Sequence, residues 1–238
     1  MKTLKLRNSF RPLLRGRSCR SATTATNRQL FVNDIAQNFS AVILAGGKSS
    51  RMSRDKALLD IGGKTLLARQ IELVREIGAA EIFISSRAGV DYSGFGCRVL
   101  EDEFQDFGPL AGIARGLDAV REPLLLVLAV DMANMRGNFL EKLSTNCSEV
   151  LGVVPVVNGT IEPLAAFYPK SANDLIQKML AASRPVNSPG AKHFAERCAQ
   201  AGLARFVTVP PDEVGFFENW NFPADLPPGK AGKILKSW

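Results

Sequence analysis

The sequence predicts an α/β domain: a mostly parallel sheet between two layers of helices, three layers wound as one unit. Two observations carry this. Short apolar runs alternate with stretches whose apolar residues recur at helical spacing, as when strands return through crossover helices. Apolar runs such as "PLLLVLAV" (123–130) are also long enough for buried strands and far too short to span a bilayer.

The elements follow in order. The first strand is Ala41–Ala45. A helix at Thr65–Ile77 repeats Leu67, Ile71 and Val74 on one face and stops at Gly78. "EIFIS" (81–85) and "CRVLED" (97–102) read as strands two and three. A helix over 109–120 leads into the strand 124–130, which delivers Asp131 at its end. "EVLGVVPVV" (149–157) and "PLAAFY" (163–168) read as strands joined through the Asn158-Gly159 turn. Helices over 171–182 and 190–201 and a strand "RFVTV" (205–209) complete the pattern, with no internal repeat. One domain over 40–238 is the economical division.

The totals fit that division. The chain has 238 residues, 46% apolar and 22% charged, enough for a proper core and too apolar for disorder. Its net charge of +7 is entirely local. Residues 1–39 hold eight Lys/Arg against one acid, Asp34, which leaves 22 basic and 22 acidic side chains in the rest. The body is therefore neutral, and the basic total gives it no nucleic-acid partner. The basic leader is predicted to be disordered. Its wealth of Arg, Ser and Thr resembles an organellar transit peptide, and an upstream start or a basic tail fits equally. It lacks a secretory apolar core, so a cytoplasmic, membrane-free protein is expected. The four cysteines, Cys19, Cys97, Cys147 and Cys198, are scattered without a CxxC, and His193 is the single histidine. No zinc site is expected on that count, and free thiols are.

The chemistry gathers at strand ends. "AVILAGGKSSRMSRDKALL" (41–59) runs from a strand into Gly46-Gly47 and then collects Lys48, Arg51, Arg54 and Lys56. Glycines let a backbone approach an anion closely, and spaced cations can offset the charges of a triphosphate. The loop is not a dinucleotide turn, since G-x-G-x-x-G is absent. It is not a Walker loop either: "GGKT" (62–65) would need its first glycine where Leu58 stands. Gly62-Gly63 reads as a turn.

Three further stretches belong with it. Asp131, a lone hard carboxylate beside phosphates, suits Mg2+, which takes one or two carboxylates and fills its shell with phosphate oxygens and water, and a helix N-cap or turn role fits it equally. Asp102 closes a short strand, and Gly108 and Gly112 bracket the start of the next helix, where backbone N–H groups are available. The glycines equally fit a plain packing role. Asn219 and Asn221, at i and i+2 in "FFENWNFPADL", would point to one side of an extended segment and suit a polar, many-faced ligand.

In this order and spacing the pieces resemble the molybdenum cofactor guanylyltransferase family of nucleotidyltransferases. "LAGGKSSRMSRDKALL" is similar to the family's L-A-G-G-x-S-x-R-M-G-x-D-K-A-L-L, "FGPLAGI" to its G-P-L-A-G-I, and "VDM" to its Asp-bearing strand end. "EPLAAFY" is similar to P-L-x-A-x-Y and "NWNFPADL" to N-x-N-T-P-E-D-L, so the resemblance covers residues 40–226. It implies a single Rossmann-like domain and transfer of GMP from GTP to the phosphate of molybdopterin, with pyrophosphate released and Mg2+ as cofactor. Transient contacts with other proteins of molybdenum cofactor synthesis are part of what it implies. Carried over by position, Leu44, Ala45, Gly46 and Gly47 would cradle the nucleotide. Arg51 and Lys56 would stabilise the triphosphate, and Ser85, Asp102, Gly108 and Gly112 would line its site. Asp131 would hold the metal, and Asn219 and Asn221 would face the pterin. The chain departs from the pattern at Ser53 (family Gly), Ser85 (family Asn) and Phe222 (family Thr). A sister enzyme using CTP or another phosphorylated acceptor, and a non-catalytic nucleotide-binding module, remain open on the sequence.

Overall fold

The computed structural model describes residues 38–46, 55–87, 89–102, 107–182 and 190–219. Eight strands form one sheet: β1 (Phe39–Leu44), β2 (Ile82–Ser86), β3 (Arg98–Glu101), β4 (Leu124–Ala129), β5 (Gly152–Val157), β6 (Thr160–Ile161), β7 (Ala165–Pro169) and β8 (Ala204–Thr208). The spatial order is β3-β2-β1-β4-β7-β5, and β5 also pairs with β6 and β8. Strands β1 to β4 are mutually parallel, with Ala41 opposite Ile82 and Leu126, and Ile84 opposite Val99. β7 runs antiparallel to both β4 and β5, while β8 runs parallel to β5. The sheet is thus mostly parallel, as expected, with β7 and its short extension β6 reversed by the hairpin that Asn158 and Gly159 turn at φ +48° and +79°.

Alternation along the strands divides the core in two. Ala41, Ile43, Leu124, Leu126 and Leu128 face one layer, where they meet helix α1 (Leu66–Glu76) through Leu67, Ile71 and Val74. The same layer holds helix α3 (Gly137–Ser144) through Phe139, Leu140 and Leu143. Val42, Phe83, Leu125 and Val127 face the other layer. There they meet helix α2 (Pro109–Ala119), α4 (Asn173–Ala181) and α5 (Ala191–Gln200) through Ile113, Ile176 and Phe194. Period 2 on the strands feeding both layers is what makes three layers from one sheet.

The helix ends follow the residues that cap them. Thr65 Oγ1 accepts from Ala68 N at 3.1 Å and opens α1. Gly78 closes it: Gly78 N donates to Arg75 O and Ala79 N to Val74 O, the paired bonds of a Schellman stop. Gly62-Gly63 forms the expected turn, closed by Ile61 N to Lys64 O at 2.8 Å.

Some boundaries move. Phe39, placed by the sequence in the basic leader, is 2% exposed and pairs with Leu124, so it belongs to the sheet and the core. Residues 148–151 close a tight turn ahead of β5, because Ser148 and Leu151 exchange backbone bonds with each other. Lys170–Ala172 is a 3-10 turn ahead of α4. Helix α3 was not predicted at all. It starts at Gly137 with no side-chain cap and runs only eight residues, too weak a local signal to read.

Candidate active site

Because β1 to β4 are parallel, their C-terminal ends lie along one edge of the sheet. That edge collects Gly46, Ser85, Asp102 and Asp131, residues scattered over more than eighty positions of sequence.

The central feature is an ion pair. Lys56 Nζ donates to Asp131 Oδ2 at 2.8 Å, with side chains 18% and 25% exposed. Lys56 stands in a 3-10 turn, Lys56–Leu58, on the return of the glycine loop, and Asp131 stands two residues past β4. Two of the three predicted catalytic residues thus meet in space. The third, Arg51, lies outside the described residues, as do Gly47 and Asn221.

A second carboxylate, Asp102, stands at the end of β3, three strands along the same edge. Ser85 Oγ donates to Asp102 Oδ1 at 2.9 Å. Burial pushes the Asp102 carboxyl above its ordinary range, while the Ser85 hydrogen bond and the Arg115 charge pull it back. Ser85 is 2% exposed and gives its one hydroxyl proton to Asp102. A Cβ at Gly46 would come within 3.0 Å of Asp102 Oδ2 and 3.4 Å of the Arg87 amide. Glycine at 46 therefore leaves room for the Asp102 carboxylate to lie against the end of β1.

The remaining predicted residues fall around this centre. The Leu44 carbonyl accepts from Val130 N at 3.2 Å and Ala45 N donates to Ser85 O at 3.0 Å, so these backbone groups extend the sheet past its strands. Gly108 caps α2 with φ +57°, and open space lies where its Cβ would be. Gly112 has a packing reason: a Cβ there would collide with the Ser85 hydroxyl and sit 2.7 Å from Leu44 Cδ2. Asn219 is exposed and follows Glu218, whose carboxylate accepts from Asn134 Nδ2 at 3.1 Å. Asn134 belongs to the loop that begins at Asp131, so the late segment is tied to the Asp131 loop. Phe216 and Phe217 stack edge-on against Phe139 of α3, at 6.0 and 5.3 Å, and fix the same approach.

Sequence reading missed two supports. Gln70, 2% exposed on the apolar face of α1, donates from Nε2 to Met132 O at 2.8 Å and pins the backbone next to Asp131. A glutamine inside "LLARQIELV" was a readable signal, since a polar residue on a buried face needs a partner. Tyr92 donates to Asp55 Oδ2 at 2.6 Å, a bond across 37 positions that no local pattern announces.

For a metal, no group of three or more His, Cys, Asp or Glu gathers among the described residues. Among the described residues, Asp131 and Asp102 each offer a partly exposed hard carboxylate at the edge. That fits Mg2+, which binds through one or two carboxylates together with substrate phosphates, and not a metal held in an all-protein cage. No helix among the described residues is long and apolar enough to cross a membrane.

Comparison with known proteins bears on the family and the fold. The family described as the MobA-like NTP transferase domain matches residues 41–201. A probable molybdenum cofactor guanylyltransferase of Opitutus terrae is 34% identical over 193 residues, covering 80% of this chain and 94% of that protein. Among solved structures, molybdopterin-guanine dinucleotide biosynthesis protein A of Archaeoglobus fulgidus superposes with a TM-score of 0.60 at 21% identity, covering 79% of this chain and 94% of the other. A 2-C-methyl-D-erythritol 4-phosphate cytidylyltransferase of Thermus thermophilus superposes with a TM-score of 0.58 at 18% identity, covering 78% and 94%. At these identities the two likenesses show the fold.

Proposed function

The chain belongs to the MobA-like NTP transferase family, and from that premise we propose that it transfers GMP from GTP to the phosphate of molybdopterin, releasing pyrophosphate. The observation that carries the reading is the Lys56–Asp131 pair at the ligand edge of the sheet, one cation and one hard carboxylate at 2.8 Å. A triphosphate and its counter-ion divide that pair naturally: phosphate oxygens take the ammonium, and the carboxylate turns to the cation.

The reaction is an in-line displacement. An oxygen of the acceptor phosphate bonds to the α-phosphorus of GTP as the bond to the β-phosphate's bridging oxygen breaks, and the electron pair leaves with pyrophosphate. The attacking oxygen is already anionic, so no side chain need remove a proton. Catalysis is then positioning and electrostatics. Lys56 and Arg51 hold the triphosphate and offset the charge that grows on the departing pyrophosphate. Asp131 would hold Mg2+, which supplies charge neutralisation across the phosphates when bound.

The glycine backbone at Gly46 and Gly47, continuing Leu44 and Ala45, lets the phosphates approach. Asp102 accepts hydrogen bonds from the nucleoside, held in place by Ser85, while Gly108 opens the edge at the start of α2. Gly112 serves the same site by seating α2 against Ser85. Asn219 and Asn221 bind the pterin of the acceptor. The reaction is assigned to the cytoplasm, with residues 1–37 outside the catalytic unit.

The test is pyrophosphate release with Mg2+, molybdopterin and each of GTP, CTP, ATP and UTP, read by which nucleotide enters the product. GTP-dependent formation of a guanine dinucleotide is expected. Preference for CTP would overturn the donor base and leave nucleotidyl transfer standing, and tight binding of nucleotide without transfer would overturn the enzyme.

A further inference from the structure

Resting on the assignment of Lys56 to the triphosphate, we propose that Tyr92 is a positioning residue for nucleotidyl transfer, holding Lys56 at its working place through Asp55. Lys56 sits in a turn of three residues, whose backbone bonds are Leu58 N to Asp55 O and Leu59 N to Lys56 O, both 3.2 Å. So short a 3-10 turn does not persist on its own hydrogen bonds. Something outside it must fix the backbone from which a side chain with four rotatable bonds reaches Asp131.

Asp55 is that anchor. Its Oδ1 accepts from Ala57 N at 3.0 Å and caps the turn, while its Oδ2 accepts from the Tyr92 hydroxyl at 2.6 Å. One carboxylate therefore joins the start of the Lys56 turn to a residue 37 positions away, on the segment that follows β2. A bond this short between a hydroxyl and a carboxylate is charge-assisted and among the stronger kinds in proteins. Tyr92 is itself immobile, 2% exposed within the core layer that holds α1, with the Phe95 ring edge-on at 6.2 Å. Burial, and next the Asp55 hydrogen bond, push its phenol far above the ordinary range, so it stays a donor at every working pH.

The link has a direction. The buried ring fixes the hydroxyl, the hydroxyl fixes one carboxylate oxygen, and the other oxygen caps the turn that bears Lys56. Without the hydroxyl, Asp55 can still cap the turn but is free to rotate, and the Lys56 backbone loses its tie to the core. Tyr92 acts through Asp55, so its effect belongs to how well Lys56 meets the leaving pyrophosphate.

Tyr92→Phe keeps the ring and deletes the hydroxyl. In the full chain with Mg2+, GTP and molybdopterin it should lower kcat about five- to tenfold with little change in the KM for GTP, as expected when an interaction strengthened in the transition state is misplaced. In a Lys56→Ala background, followed by single-turnover transfer at high enzyme concentration, the same substitution should cost nothing more. Should Tyr92→Phe lower the melting temperature, Asp55→Asn, which keeps the volume and the cap acceptor but weakens the bond to Tyr92, must show the same dependence on Lys56. Wild-type kcat in Tyr92→Phe, or an undiminished penalty without Lys56, overturns the proposal. Wild-type transfer by Lys56→Ala alone would instead overturn the assignment of Lys56, a separate failure.

Discussion

Lys56 and Asp131 neutralise one another at a place where both are only a quarter or less exposed. Such a pair gives little net stability, because desolvating two ions offsets most of their attraction. On the proposed reading, its value lies in keeping two opposite charges ready for a triphosphate and a cation. Asp131→Asn should therefore lower turnover at least about a hundredfold, even in saturating Mg2+, since it removes charge from where the phosphates are neutralised. Steady-state pyrophosphate release measures it. Asp102 makes the opposite trade. Its carboxyl is raised by burial, so the folded state binds that proton more tightly than the unfolded chain does. Stability drawn from this group is present at low pH and is lost as pH rises from about 4, the unfolded carboxylate value, through the folded one. Asp102→Asn keeps an acceptor for Ser85 and removes the buried charge. Its melting temperature should exceed that of the wild type at pH 7, by a margin that shrinks toward pH 4, while nucleotide binding weakens. Melting curves across that range decide it; a lower melting temperature at pH 7 would contradict the account.

At the scale of elements, α2 and α1 frame the site by different means. Helix α2 approaches the sheet through Gly112 and Gly116, where a Cβ would strike Ser85 and Leu44 at the first and come 2.8 Å from Leu125 Cδ2 at the second. Gly112→Ala should cost about 1–3 kcal/mol, as overpacking does, and should also lower activity, because Ser85 and its bond to Asp102 lie directly beneath. Urea midpoints and kcat read the two effects together. Helix α1 depends on its cap. Thr65→Ala should cost about 1 kcal/mol with the turnover number unchanged, since the helix face that matters is fixed by Leu67, Ile71 and Val74. The last element to matter is the late 3-10 segment Pro211–Phe217, held to α3 by Lys142 and Glu213 at 3.1 Å and by two aromatic contacts. It carries Glu218 to the Asp131 loop, where Asn134 Nδ2 donates to its carboxylate at 3.1 Å.

Over the whole molecule, the neutral body and the basic leader separate cleanly in charge, and the core takes up the chain at Phe39. Removing residues 1–37 should leave both the melting temperature and kcat unchanged, and cutting to residue 40 should lower the first by stripping Phe39 from its edge-on contact with Phe167 at 5.4 Å. Differential scanning calorimetry on the two truncations tests this. What the sequence determined by itself was local: the order of strands and helices, the hairpin at Asn158-Gly159, the stop at Gly78 and the character of each strand end. These follow from periodicity and backbone preference, which neighbouring residues carry between them. It missed α3, whose uncapped eight residues become a helix only when Phe139 and Leu143 find the core. Only the tertiary structure decided which of the strand-end residues meet. Lys56 finds Asp131 across 75 positions, Tyr92 finds Asp55 across 37, and Ser85 finds Asp102 across 17. Pairings of that range exist because parallel strands bring distant strand ends to one edge, and no local pattern encodes which side chains will then lie within hydrogen-bond reach.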